Sequence, residues 1–436
     1  MRLKFNNIGK ITDGDISIDK ISLIAGNNNS GKSTAGKLLF ALSRSLNSLN
    51  SKNLLMYKFK SVEESLKGVI RFSRSRNHLR FRAAEFRRQL DIGPADTDSE
   101  IDFFELESQY REIIEELLKE VEEEEQAIDF DKNENLESAI RNVRERLEIS
   151  YDSEELKFSQ IEKILSQEFT GALTSRYYDD DEAQIELFED NGDYLKLIYE
   201  NHTLIPEKSE IKISRDYSGT AYIDDPFILD KYEDLLFLGD ESHHRDFLLR
   251  TLKMKEKSPN YFEYNFQQKN ISEIFSNVLG GKIGRSERSL LYSNSNLSDD
   301  LKIDNLSTGT KSFVILKLLI ESGQIGNLEY LILDEPEIHL HPKWQLEYAK
   351  LIALISTVFP IRILITSHSP YFIEALDIYA EQYIKNSSKE LKYYKSVDKG
   401  NKISLMKISR DLDDIFEDMY QPLNYLSELR GDLGND

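Results

Sequence analysis

The chain has 436 residues, of which 39% are hydrophobic and 31% charged, and its formal net charge is −22. These values support a buried core and exclude wholesale disorder, and the average field repels nucleic acid, so any such contact needs a local basic patch. There is no cysteine, which removes disulfide frameworks, thiolate metal sites and cysteine nucleophiles and fits a reducing compartment.

Strand-like sequence begins directly at Met1-Arg2-Leu3-Lys4-Phe5, without the apolar core and cleavage site of a signal peptide. No run of about 18 apolar residues follows anywhere, so no transmembrane helix and no membrane partner is expected, and the expected location is cytoplasmic. Residues 1–60 read as the first part of an α/β head. Within them stands Leu23-Ile24-Ala25-Gly26-Asn27-Asn28-Asn29-Ser30-Gly31-Lys32-Ser33-Thr34. It matches G-x-x-x-x-G-K-[ST], with an apolar strand before it and a helical pattern after it. Backbone N–H groups of Gly26 to Thr34 and the helix N-terminus then point at phosphate oxygens. Lys32 is expected to reach the β- and γ-phosphates of ATP, and the Ser33 hydroxyl to ligate Mg²⁺.

Residues 61–300 read as a large insertion. An arginine-rich helix is expected over 71–88, where seven arginines alternate with Phe72, Leu79, Phe81 and Phe86. It fits a nucleic-acid contact or an amphipathic helix packed internally or on a partner protein, and the second reading is favoured. Phe103, Tyr110 and Leu117 recur every seven residues, as do Ile114 and Val121. Leu136, Ile140, Val143 and Leu147 repeat at +4, +3, +4. This predicts a short antiparallel helical hairpin over about 99–150, either a solvated pair or a docking arm. A further helix starts near Ser153. A part-β region covers about 184–230, with patches Gln184–Phe188, Tyr194–Tyr199 and Glu210–Ser214 and a turn at Asn191-Gly192-Asp193. Gly239 to Asp246, with His243 and His244, reads as a polar loop before a helix at Phe247–Leu252 rather than as a metal cluster.

Residues 301–376 read as the second part of the head. Asn305-Leu306-Ser307-Thr308-Gly309-Thr310-Lys311 precedes an apolar helical run, and Ser307, Gly309 and the helix N-terminus make an anion site. The apolar strand Leu328–Leu333 delivers Asp334 and Glu335 at its C-terminal end, the edge where open α/β sheets bind ligands. Asp334 is expected in the Mg²⁺ shell, and Glu335 is placed to orient and deprotonate the attacking water. A third apolar strand ends in Thr366-Ser367-His368-Ser369-Pro370, where His368 is placed to hydrogen-bond the γ-phosphate and that water. His339 and His341, two apart, do not read as a zinc pair. Residues 377–436 read as a mixed C-terminal tail ending in a charged, helix-like stretch from Arg410 to Arg430.

Phosphate loop, Ser-x-Gly signature, Asp-Glu strand and histidine loop, in that order, resemble the soluble ABC ATPases, which include DNA-repair and chromosome-maintenance enzymes. Asp334-Glu335-Pro336-Glu337-Ile338-His339-Leu340-His341-Pro342 and Thr366–Pro370 are similar to the heads of overcoming-lysogenization-defect (OLD)-like and Septu-type anti-phage ATPases. The resemblance covers roughly residues 1–48 and 300–376. It implies an ABC-type P-loop head with a mixed sheet, split by a helical and part-β insertion. It implies a homodimer, or a higher oligomer built from it, in which two heads sandwich two ATP molecules. Ser307 and Gly309 of one chain then face the phosphate loop of the other, with Glu337–Pro342 at the interface. The implied role is the ATPase sensor or regulator of an anti-phage system with a separate effector, a nuclease or toxin; the alternative is a DNA-binding repair or recombination ATPase. This sequence departs from the family in its Ser-Thr-Gly-Thr-Lys signature and in having no evident glutamine loop, for which Gln89 is a weak candidate. The 68 residues after His368 are too few for the Toprim nuclease domain that OLD-like proteins often carry.

Overall fold

The computed structural model describes residues 1–73, 103–126, 134–177, 182–233, 243–254, 266–285, 289–385, 387–398, 400, 402–409 and 412–433. Most of the arginine-rich stretch at 71–88, Gln89 and residues 239–242 lie outside the described residues. The chain forms two compact units, Met1–Asn47 with Lys163–Asp436, and Ser48–Glu162.

The first unit is built on one mixed sheet. In chain order its strands are β1 (Arg2–Ile8), β2 (Ile11–Ser17), β3 (Ile21–Ala25), β4 (Glu182–Phe188), β5 (Tyr194–Glu200), β6 (Thr203–Leu204), β7 (Glu210–Lys212) and β8 (Gly219–Ile223). Three short strands, β9 (Lys282–Arg285), β10 (Leu290–Ser293) and β11 (Leu301–Lys302), make a separate antiparallel sheet. The main sheet then gains β12 (Leu328–Asp334), β13 (Arg362–Ser367), β14 (Leu391–Asp398) and β15 (Ile403–Ile408). Its order is β6-β5-β4-β1-β2-β15-β14-β3-β13-β12-β8, with β7 paired to β5. From β14 to β8 every pairing is parallel. The other half, apart from the parallel β15–β2 pair, is antiparallel.

The sequence explains this division. Strand β3 is buried at all five positions, and β13 at five of six, as a parallel strand covered on both faces must be. On one face, Leu23, Leu331, Leu333, Ile363 and Ile365 share a core with helical residues such as Phe313, Ile352 and Phe372. On the other lies α1 (Lys32–Ser48), which follows β3 through the phosphate loop. There Gly36 allows close approach: a Cβ at that position would stand 3.2 Å from Ile332 Cγ2.

The second unit holds α2 (Ser51–Phe72), α3 (Phe103–Gln126) and α4 (Glu134–Glu148). All eight expected hairpin positions from Tyr110 to Leu147 are buried in one cluster with Leu54, Phe59, Val62, Leu66 and Val69 of α2. Among the described residues the unit thus packs α2 with the two hairpin helices, and α2 belongs to it. Its limit falls inside α5 (Glu154–Glu168), after which α6 (His244–Lys253) and α7 (Phe266–Leu279) belong to the first unit.

The expected boundaries need correction. The head does not run to residue 60, and the compact insertion ends near 162, not 300. Strands within 184–230 are part of the main sheet, because β4 pairs with β1 and β8 with β12. The C-terminal tail is likewise not an appendage: β14 lies directly beside the phosphate-loop strand β3.

In the helical unit Lys58, 1% exposed, donates to Glu107 Oε1 at 2.5 Å and to the Leu147 carbonyl at 2.9 Å. Lys58→Ala leaves the buried Glu107 carboxylate without its counter-charge, though its Oε1 still accepts from the Tyr151 N–H at 3.1 Å, and is expected to cost about 3–5 kcal/mol, whereas Lys58→Met with Glu107→Leu recovers part of it. Urea unfolding of the two variants checks this.

Candidate functional site

The parallel register brings three loops to one edge. Ala25 pairs with Ser367, and Thr366 with both Ile24 and Asp334. The chain therefore leaves β3, β13 and β12 side by side, into Gly26, His368 and Glu335.

The phosphate loop is held by its own backbone and by neighbours. Gly31 has φ +79°, and a Cβ there would stand 2.8 Å from Ile11 Cγ1, so glycine is required on both counts. Asn29 adopts φ +64°, which asparagine tolerates. Its side chain accepts from Lys10 Nζ, and the Ser30 carbonyl accepts from Ser396 Oγ at 2.6 Å. Lys32, 3% exposed, opens α1. Its Nζ donates to the carbonyls of Gly26 at 2.9 Å and Asn27 at 2.8 Å, and lies 3.1 Å from Glu335 Oε1.

Asp334 is the hub. Its Oδ1 accepts from Ser33 Oγ at 3.1 Å and from Thr366 Oγ1, and its Oδ2 accepts from Tyr222 OH at 2.8 Å. Two hard oxygen donors, the Ser33 hydroxyl and the Asp334 carboxylate, thus converge, a donor set that suits Mg²⁺.

Glu335 has φ +50°, a left-handed conformation that a non-glycine residue adopts only when its surroundings enforce it. Its N–H is near both the Thr366 carbonyl, at 3.0 Å, and Thr366 Oγ1, at 3.1 Å. His368 Nδ1 lies 3.5 Å from Glu335 Oε1. The contact with His368 first, and then Lys32, outweighs burial and holds the Glu335 carboxyl at about 2. In turn Glu335, followed by Glu337, lifts the His368 imidazole above its ordinary value against burial.

The residues of the Ser-x-Gly motif sit at the start of α8 (Thr308–Glu321). Ser307 is its N-cap, accepting from Thr310 N at 3.3 Å and sharing a 2.7 Å hydrogen bond with Thr310 Oγ1. Gly309 is buried against the loop after β12: a Cβ would stand 2.9 Å from the His339 carbonyl. His341 caps α9 (Pro342–Val358), and His339 packs edge-on against Phe227.

Sequence reasoning quoted Thr366 and Glu337 only as parts of motifs and gave Tyr222 no role, yet all three lie within this hydrogen-bonded set. It also missed what lies beyond β12. The neighbouring strand β8 runs out into Asp224. Burial opposes the charge of Asp224, but His244 and Arg245 hold its carboxyl well below the usual range. His244 Nδ1 meets Glu168 Oε1 at 2.6 Å, its Nε2 lies 3.1 Å from Asp224 Oδ2, and its ring stacks on Tyr222 at 4.4 Å. Glu168, His243 and His244 offer ligand atoms within 4.8 Å of one another. The two carboxylates are nonetheless balanced by His244 and Arg245, the latter 2.6 Å from Asp224.

Residues 1–373 match the family model AAA_15, the AAA ATPase domain. The chain belongs to the AAA ATPase domain family. It is an ATPase, and the order of its motifs is of the ABC type. It is 35% identical over 92 residues to the Septu protein PtuA of Bacillus thuringiensis, covering 18% of this chain and 22% of that relative's length. The chain therefore spans about a fifth of that curated relative. Among solved structures it is similar to an SMC head bound to the C-winged helix domain of ScpA, with TM-score 0.41 and 10% identity over 94% of this chain and 98% of that one. It is also similar to the SMC head domain from Thermotoga maritima, with TM-score 0.38 and 10% identity over the same shares. Among the described residues no helix is long and apolar enough to cross a membrane.

Tyr222→Phe removes a buried donor to the Asp334 carboxylate and is expected to cost about 2 kcal/mol while leaving the fold intact. Urea denaturation with circular dichroism reads both effects.

Proposed function

We propose that the phosphate loop Gly26–Thr34, Asp334, Glu335 and His368 form one half of an ATP-hydrolysing switch that works as a head-to-tail homodimer. The observation that supports it best is the convergence on Glu335: Lys32 and His368 both meet its Oε1, beside the Ser33–Asp334 pair. When ATP enters, Lys32 exchanges the Gly26 and Asn27 carbonyls for phosphate oxygens. Ser33 and Asp334 would hold Mg²⁺, which would supply neutralisation of phosphate charge. Glu335 orients a water in line with the γ-phosphorus. The water oxygen bonds to phosphorus, the bond to the bridging β-oxygen breaks, and Glu335 takes the proton, leaving ADP and phosphate.

A carboxylate held at about 2 is a poor base near neutrality. Withdrawal of Lys32 towards phosphate removes one of the groups that depress it, so substrate binding itself raises the basicity of Glu335. His368 donates to the γ-phosphate, and Ser307 and Gly309 reach the partner's nucleotide from the N-terminus of α8.

At the level of the cell, we read the chain as the ATPase sensor or regulator of an anti-phage system acting on a separate effector. The similarity to the Septu protein PtuA over 92 residues favours this reading. The test is a tagged pull-down from the native host, comparing the parental chain with Lys32→Ala. A stoichiometric second protein retained with the parental chain and lost with the variant is the expected result. Nucleic acid without a protein partner would instead favour a repair-type ATPase.

The dimer has its own test. Lys32→Ala and Ser307→Arg chains are each expected to be inactive, but in their heterodimer one composite site keeps both native halves. An equal mixture is expected to regain about a quarter of the parental hydrolysis rate, given twofold symmetry. No recovery on mixing would rule out shared sites.

A further inference from the structure

Glu337 stands three residues beyond the end of β12, is 2% exposed, and has no part in the mechanism above. Its Oε1 accepts from Ser367 Oγ at 2.6 Å and from the His368 N–H at 2.9 Å, and lies 3.6 Å from His368 Nδ1. Among the described residues neither its buried Oε2 nor the buried His368 Nδ1 has a hydrogen-bond partner, so the approach of Glu337 to the ring is one of charge. Burial pushes its carboxyl up, against those two hydrogen bonds. A carboxylate is costly in such a place unless its partners justify it. A glutamate that merely filled space would be replaced at no loss by an apolar side chain. Among the described residues both hydrogen bonds of the Glu337 carboxylate instead go to the histidine loop.

The surroundings make this support rigid. Gln345 of α9 donates from Nε2 to the carbonyls of Leu340, at 3.1 Å, and Glu337, at 3.4 Å, and its Oε1 accepts from Ser369 Oγ at 2.6 Å. The segment 337–340 and the segment 367–369 are thus tied to the same helix. His368 is one-third exposed, whereas the carboxylate behind it is sealed from solvent.

We infer that Glu337 is a positioning residue for His368: its carboxylate anchors the loop backbone and keeps the imidazole with Nδ1–H turned to the carboxylates. The two carboxylates beside Nδ1 favour the doubly protonated ring, so that Nε2–H remains as the donor available to the nucleotide. An imidazole that donates from Nε2 while Nδ1 faces carboxylates carries both protons, and the facing charges also hold its ring orientation. The charged groups facing His368 are Glu335 and Glu337, after β12, and Lys32 at the start of α1. This inference rests on the reading of His368 as a group that meets the γ-phosphate.

The experiment measures kcat and KM for ATP against pH in the full chain, for Glu337→Gln, His368→Ala and the double variant. Glu337→Gln is expected to lower kcat about tenfold with KM little changed, the usual scale for loss of an orienting partner. Removing one negative group from beside the imidazole is expected to move the histidine limb of the kcat profile to lower pH. In the His368→Ala background the same substitution is expected to have no further effect. An equal loss in both backgrounds would mean that Glu337 only supports the fold, and would overturn the inference. If His368→Ala itself hydrolyses ATP at the parental rate, the reading of His368 fails and the inference falls with it. Should Glu337→Gln not fold, Ser367→Ala decides the matter. It keeps both carboxylates and removes one donor, and its expected effect is a smaller kcat loss that likewise vanishes without His368.

Discussion

The backbone ladder that joins β3, β13 and β12 in parallel is the constraint on which the site depends. Pairing Ala25 with Ser367 and Thr366 with Asp334 fixes where each chain segment stops being a strand. A slip of one residue in either pairing would turn every side chain to the opposite face. Asp334 would then leave Ser33, and the buried leucines and isoleucines of the two core layers would exchange sides. The chemistry and the stability of the head therefore rest on the same register.

Thr366 shows how tightly the two are joined. It pairs through its backbone with β3 and β12, donates from its hydroxyl to Asp334, and offers both its carbonyl and its hydroxyl to the N–H of Glu335. Those contacts balance the left-handed backbone at Glu335. The strain has a use: it turns the second carboxylate of the Asp-Glu pair away from the strand direction, towards Lys32 and His368. Adjacent residues on an ordinary strand would point to opposite faces.

How much of this was legible in the sequence follows from the range of the interactions. The phosphate loop, the Asp-Glu strand and the histidine loop are local motifs whose flanking apolar runs reveal their setting, so Lys32, Ser33, Asp334, Glu335 and His368 could be named from spacing. The hairpin positions from Tyr110 to Leu147 were readable because helical periodicity is local too. What escaped was long-range. Nothing near residue 182 announces that β4 will pair with β1, or near residue 391 that β14 will flank β3. Local patterning therefore does not reveal that β4 to β8, β14 and β15 belong to the sheet of the head. Tyr222 looked like any strand tyrosine, since its partner Asp334 is 112 residues away. The apolar stripe on α2, including Leu54, Phe59, Val62, Leu66 and Val69, was available in the sequence and marks where the helical unit begins.

Glu335 is the group proposed to align and deprotonate the attacking water. Its most direct test is Glu335→Gln, which keeps the side-chain shape and removes the base, assayed for ATP binding and for single-turnover hydrolysis in the same preparation. Binding at parental affinity with hydrolysis slowed by about 10² or more is the predicted result. Hydrolysis at the parental rate would contradict the account and send the search for the catalytic group elsewhere at this sheet edge.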